Sequence, residues 1–248
     1  MPTYRDEAVV LRTHQLGEAD RIISLLTMRH GKVRAVARGI RRTSSKFGAR
    51  LEPFAHVDVQ LATGRGPLDI VAQVETLHAG LLGNDYRRFT AAEVLVEAAD
   101  RLVVEDKVPS AAQYRLLAGA VVALRRPDRR PEAVVDSYLL RSLAAAGYAV
   151  VVDACSVCGR ADDTRWFSPQ GGGAVCSGCR PPASALLPAE VRQHLALLIT
   201  GDWNNVAAAP AGVAHRAHGM VVAFATWHLD RALRSLPFFD QEQLAHRP

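Results

Sequence analysis

With 248 residues, 49% hydrophobic and 22% charged, the chain has the composition of a globular protein, which argues against disorder. The formal charge of +5 permits a nucleic-acid partner without requiring one. No apolar run reaches membrane-spanning length and Met1 to Glu7 contain no signal-peptide core, so a cytoplasmic protein with reduced thiols and no membrane partner is expected.

Residues 4–78 read as strands. Ala8-Val9-Val10-Leu11 is a short apolar run, and Arg21 to Thr27 follow the polar break Gly17-Glu18-Ala19-Asp20. His30-Gly31-Lys32 is a tight turn, after which Val33 to Arg38 alternate apolar and basic, the period-2 mark of a half-buried strand. Ala55 to Leu61 alternate in the same way; Gly64-Arg65-Gly66-Pro67 breaks the chain, and Leu68 to Val74 form a fifth strand. Five short strands in this span predict a small barrel, of which the OB-fold is the common five-stranded type and an SH3-like barrel the alternative.

From Asp85 the period changes to that of helices. Phe89, Val94, Leu95, Ala98, Leu102 and Val103 form one stripe; Tyr114, Leu117, Val121 and Leu124 a second; Val135, Tyr138, Leu139 and Leu143 a third, with Pro131 in its first turn. Val191, Leu195 and Leu198 mark a fourth helix, and Val213 to Leu236 a long fifth one. Trp203 is left unassigned. The fold class is therefore α+β: a barrel over 1–80 and a helical domain over 81–152 and 181–248. A cysteine module is inserted at 153–180, and the barrel ends between Ala79 and Asp85.

That module carries all four cysteines, as two Cys-x-x-Cys pairs: Cys155 with Cys158, and Cys176 with Cys179. Each pair points two thiolates at one place, and two pairs supply the four soft ligands of a tetrahedral Zn²⁺. Between them, Asp162-Asp163 reads as a turn, Arg165-Trp166-Phe167 as a strand and Gly171-Gly172-Gly173 as a break. One structural zinc per chain is expected; two disulfides or free thiols are the alternatives. Four thiolates leave no open position for water, so such a site builds structure and hydrolyses nothing. Arg160, Arg165 and Arg180 are placed to offset its negative charge.

A second concentration lies in the barrel. Arg29, Lys32, Arg34, Arg38, Arg41, Arg42, Lys46 and Arg50 occupy a stretch with no Asp or Glu. Arg34 and Arg38 share a strand face, and the rest of the run is a hydroxyl-rich loop able to follow a phosphate backbone without reading bases. Phe47 sits inside the loop as a candidate base-stacking ring. The competing reading is a solvated edge strand kept from pairing by its charge.

Signals for catalysis are weak. There is no Gly-x-x-x-x-Gly-Lys-Ser/Thr loop, no Gly-x-Ser-x-Gly elbow and no His-Glu-x-x-His helix. The acidic doublets Asp6-Glu7 and Asp162-Asp163 fit a strand flank and a turn, and His215 with His218 reads as a polar helix face. No enzyme activity is expected. The rival functions are an RNA-binding OB and zinc-ribbon protein of the translation machinery, and a metal-dependent nuclease.

With these parts in place, the sequence resembles the bacterial RecO family of recombination mediators. The resemblance rests on Ala8-Val9-Val10-Leu11 with Gly17-Glu18-Ala19-Asp20-Arg21, on His30-Gly31-Lys32, on Ala37 to Arg42, and on Leu51-Glu52-Pro53-Phe54. The cysteine quartet fits the zinc-bearing branch, and Leu233-Arg234-Ser235-Leu236-Pro237-Phe238 resembles the family's C-terminal signature. The resemblance implies a nucleoid-associated DNA repair and recombination protein without catalysis. It implies binding to single- and double-stranded DNA and annealing of complementary strands, including strands coated by the single-strand-binding protein SSB. It further implies RecR and the SSB C-terminal tail as partners, and through them RecA loading.

Overall fold

The computed structural model describes residues 2–64, 66–78 and 85–245, with side chains as far as residue 241. The expected barrel boundary falls outside those residues apart from Asp85, as does Arg65 of the chain break. The chain forms two compact units, Met1–Arg125 and Arg126–Pro248.

In the first unit, β1 (Thr3–Leu16), β2 (Asp20–Thr27), β3 (Gly31–Ala37), β4 (His56–Ala62) and β5 (Asp69–His78) close into a barrel in the order β1-β2-β3-β5-β4. Every neighbouring pair is antiparallel except β3 with β5. This is the expected OB-fold. β1 is much longer than its apolar run because it serves two ladders. Thr3 to Val9 pair with β4 and Ala8 to Leu16 with β2, and the register shifts between Val10 and Arg12. Such a bulge bends a strand and increases its twist, as a small closed barrel requires.

The alternation in β3 survives intact: Val33, Ala35 and Ala37 are buried while Lys32 and Arg34 face outward. The barrel core joins Val10, Ile23, Leu25, Val57 and Leu61 of the strands to Ile40, Phe47 and Leu51 of the loop after β3. Burying each large apolar side chain contributes about 1.5–3 kcal/mol. The turn at Gly31 has φ +67, and a Cβ there would meet the Val108 carbonyl oxygen at 1.8 Å. Only glycine fits, because Lys107 N–H donates to the Lys32 carbonyl at 2.8 Å and draws that segment against the turn.

α1 (Tyr86–Leu102) and α2 (Ala111–Ala123) complete this unit. The Asp85 carboxylate caps α1 by accepting from Arg88 N–H. Val94, Leu95 and Ala98 are buried as expected, but Phe89 is not. Tyr114 ties α2 to the barrel: its hydroxyl donates to Glu7 Oε2 at 3.0 Å and lies 2.8 Å from His56 Nε2.

The second unit holds α3 (Pro131–Ala145), α4 (Ala189–Thr200), α5 (Trp203–Ala208), α6 (Ala211–His228) and α7 (Leu236–Ala245). A small sheet of β6 (Trp166–Ser168), β7 (Gly173–Val175) and β8 (Ala185–Leu186) is ordered β7-β6-β8. Val135, Leu139, Leu143, Val191, Leu195, Leu198 and Val221 are fully buried. Trp203, unassigned from sequence, opens α5 under the Arg129 guanidinium, 4.9 Å from its ring centroid.

The single long helix expected over Val213 to Leu236 is in fact two, since α6 ends at His228. Asp230 takes a left-handed φ of 57°, and the chain restarts so that Pro237 falls in the first turn of α7. There its missing N–H leaves no hydrogen bond unmade, whereas in a continuous helix it would remove one and clash with the preceding turn.

Candidate metal centre and nucleic-acid interface

The four cysteine sulfurs lie within 4.8 Å of one another, with Cys155 and Cys176 buried and Cys158 exposed. Cys158 Sγ is 3.9 Å from Cys176 Sγ. A tetrahedral zinc with Zn–S bonds of about 2.3 Å sets its sulfurs about 3.8 Å apart, so the spacing suits such an ion. The sheet positions the knuckles. Trp166 pairs with Val175, the residue before Cys176. Ala174 N–H donates to the Val151 carbonyl at 2.7 Å, and a Cβ on Gly173 would strike that carbonyl oxygen at 2.1 Å. The glycine break thus lets the strand leading into the second knuckle lie against the segment leading into the first.

Backbone N–H groups face the sulfurs. Hydrogen bonds to Cys155, chiefly from Cys158 N–H and also from Cys176 and Val157, outweigh burial and lower its pKa to about 6. Cys179, which meets the thiols of Cys176 and Cys158, is pushed up to about 12. Four thiols this close do not ionise together unaided, and a divalent cation is the natural counter-charge.

The arginines expected to offset that charge do other work. Arg160 pairs with Asp162 at 3.6 Å and Arg165 with Asp163 at 2.7 Å, both across the predicted turn. Arg180 lies over the Trp166 ring, 3.9 Å from its centroid. Turn carboxylates two residues away thus hold Arg160 and Arg165.

The basic stretch divides into two groups. Arg29 pairs with buried Asp6 at 3.4 Å, Lys32 with Asp100 at 3.4 Å and Arg34 with Asp106 at 3.0 Å. Each of these cations therefore has a carboxylate partner within the unit. Arg38, Arg41, Arg42, Lys46 and Arg50 are exposed and form no ion pair among the described residues. Three of them are held by carbonyl oxygens: Arg41 by Glu18 at 2.9 Å, Lys46 by Ala72 at 2.9 Å and Arg50 by Lys46 at 2.8 Å. Such bonds orient a cation without neutralising it. The loop itself is pinned where Gly39 N–H donates to Asp20 Oδ1 at 2.7 Å.

Phe47 is not a surface ring. It is 2% exposed, within the barrel core beside Leu51. Burying a phenyl ring gains more than displaying it, so the loop turns Phe47 in and its cations out. Lys46 Nζ sits 5.1 Å from the ring centroid at the edge of that pocket.

Of the acids and histidines considered for catalysis, Asp6 and His218 are held in buried polar contacts. Asp6, fully buried, accepts from Glu7 N–H at 2.9 Å and Arg29 N–H at 3.0 Å and lies 2.6 Å from His30 Nδ1. His218 is not on a polar helix face but buried, with Nδ1 2.7 Å from Asp136 Oδ1 and Nε2 3.1 Å from Asp240 Oδ1. No sequence signal pairs His218 with aspartates 82 and 22 residues away. Among the described residues the cysteine quartet is the one cluster of three or more His, Cys, Asp or Glu able to hold a metal ion. No helix among them is long and apolar enough to cross a membrane.

A closed five-stranded OB barrel bearing an exposed basic loop, followed by a helical body with a four-cysteine cluster able to hold a metal ion, is the architecture of a two-part α+β protein whose barrel type is one used to bind nucleic acids. The family models for the N-terminal and C-terminal parts of recombination protein O match residues 1–79 and 83–237, and the chain belongs to that family. It is 55% identical to the DNA repair protein RecO of Cutibacterium acnes over 247 residues, 97% of this chain and all of that protein. Identity to the DNA repair protein RecO of a Nocardioides species is 51%, covering 96% of this chain and 99% of the relative. For the protein of that name from Streptomyces coelicolor it is 46%, covering 97% and 100%.

Proposed function

We propose that this chain is a DNA repair and recombination mediator that binds single- and double-stranded DNA and anneals complementary strands without catalysing bond cleavage. The observation that carries the reading is the set Arg38, Arg41, Arg42, Lys46 and Arg50, five exposed cations with no carboxylate partner among the described residues. Arg29, Lys32 and Arg34 belong to the same basic stretch and are the secondary candidates, each having a carboxylate partner. Cations of this kind take up phosphates and release counterions, giving affinity without base preference. Neutralising two strands at once lowers their mutual repulsion, which favours annealing.

The family name of the relatives supports the repair role, and the four-thiolate set supports zinc as the metal, in a closed structural site. The barrel over 1–80 takes the DNA; the body over 81–152 and 181–248, with the module at 153–180, serves docking. There the acidic and apolar C-terminal tail of SSB is the expected ligand, with RecR as partner and RecA loading as the outcome. Cross-linking of an SSB tail peptide wholly to residues 1–80 would refute that division. The central test is annealing of SSB-coated complementary strands. The protein should accelerate it, and loss of the five loop cations should abolish the acceleration. Preferential binding of RNA over DNA of one sequence would instead favour a role in translation, and cleavage of DNA with Mg²⁺ or Mn²⁺ a nuclease.

A further inference from the structure

Phe47 being buried, electrostatics alone would leave the bases of a bound strand untouched by this unit. Two other rings are placed to meet them. Tyr86 and Phe89 are 53% and 45% exposed, and they are the exposed large aromatic side chains of Met1–Arg125 among the described residues. They lie three apart in the first turn of α1 and so share one helix face. Their rings are near parallel, 19° apart, with centroids 6.5 Å from each other.

The pair is held in place from beneath. Phe89 makes an edge contact with Phe54, centroids 5.4 Å apart at 84°. Phe54 is 3% exposed, and its backbone N–H donates to the Val10 carbonyl of β1 at 2.9 Å. The platform is therefore anchored on the barrel wall. Phe54 also follows the basic loop directly, four residues after Arg50. A four-residue span reaches at most about 14 Å, short against any strand long enough to engage the loop. The nearby Asp85 carboxylate is occupied by Arg88, at 2.9 Å from its Nε, which reduces its repulsion of a phosphate.

We infer that Tyr86 and Phe89 form a base-stacking platform for a single strand whose phosphates lie on Arg38 to Arg50. Two exposed near-parallel rings, rigidly backed and next to uncompensated cations, suit the flat apolar face and charged backbone of a nucleotide. A wholly apolar partner segment would leave the adjoining positive charge unused, and an acidic, apolar peptide seated here instead would leave oligodeoxythymidine binding unchanged in variants of the two rings. The inference rests on the nucleic-acid reading above.

The test compares binding of oligodeoxythymidine with binding of an abasic strand of equal length and charge, for the wild type, Tyr86→Ala and Phe89→Leu. Stacking is worth enough that each variant should bind oligodeoxythymidine roughly five-fold or more weakly. On the abasic strand wild type and variants should bind alike, and the salt slope should not move, since no phosphate contact is lost. Tyr86→Ala removes an exposed ring, and Phe89→Leu keeps an apolar group on Phe54, so unchanged thermal unfolding is expected. Variants that bind oligodeoxythymidine like wild type, or that lose as much on the abasic strand, overturn the platform. Wild type that binds both strands equally well overturns it too but leaves the phosphate reading standing; wild type that binds neither overturns both.

Discussion

His218 Nδ1 lies 2.7 Å from Asp136 Oδ1, and its Nε2 lies 3.1 Å from Asp240 Oδ1, so one imidazolium links α3, α6 and α7. Burial alone would lower the pKa of His218, but the charge and hydrogen bond of Asp136, with those of Asp240, outweigh it and raise it to about 10 from 6.5. The folded state thus binds the proton more tightly than the unfolded chain. The contribution to stability is fully present below about pH 6.5, declines above it, and is gone once the pH has risen through about 10. His218→Ala should cost about 3–5 kcal/mol at neutral pH, since it strands the buried Asp136 carboxylate. Urea unfolding from pH 6 to 10 checks both points. Wild type should lose stability across that range and the variant much less; parallel profiles would contradict the charged bridge.

One zinc per chain should be held by Cys155, Cys158, Cys176 and Cys179. Metal binding energy is folding energy in such modules, on the order of 10–16 kcal/mol in small fingers. Cys176→Ser and strong chelation should each lower the melting temperature of the helical body. Metal analysis of protein purified without chelators, together with thermal scans, measures this. Well under one zinc per chain, or a variant that unfolds like wild type, would count against the site.

Replacing Arg38, Arg41, Arg42 and Lys46 together with alanine should weaken single-strand binding on all sequences alike. Each lost phosphate contact lowers the slope of log K against log salt by about 0.7, so four should lower it by roughly 3. These side chains are exposed, so far-UV circular dichroism and zinc content should hold. Replacing Arg29, Lys32 and Arg34 instead should cost only a little stability, because Asp6 keeps His30 and two backbone N–H donors, Asp100 keeps Arg12 at 2.9 Å, and Asp106 is exposed to water. An unaltered salt slope in the quadruple variant would place the DNA path elsewhere.

Phe47→Ala should behave unlike any of these. Deleting a buried phenyl ring costs about 3–5 kcal/mol. Urea unfolding should report that loss, while the salt slope of DNA binding at temperatures where the variant stays folded should equal that of wild type. A variant of full stability but altered base affinity would return Phe47 to the surface.

Periodicity and spacing are local properties, and what they govern was legible in the chain. The alternation of Val33 to Ala37 already separates inward from outward side chains, and two Cys-x-x-Cys pairs specify a four-thiolate site because each knuckle aims its own sulfurs. The stripes on α1 to α4 were equally plain, and the Ala8 to Leu11 run marked the centre of β1. Only its ends were missed, because they depend on which strands lie alongside.

What the tertiary structure alone decided is which distant group each side chain meets. Arg34 and Arg41 look alike in sequence, yet the first finds Asp106, 72 residues on, and the second only a carbonyl. Phe47 and Phe89 are both aromatic residues flanked by arginine or lysine, yet the barrel core has room for the first, while the second meets Phe54 and Tyr86 and stays 45% exposed. A sequence pattern tells which face of an element is apolar. Whether another part of the chain arrives to cover that face, or to neutralise a charge on the other, is settled by packing between elements far apart in sequence.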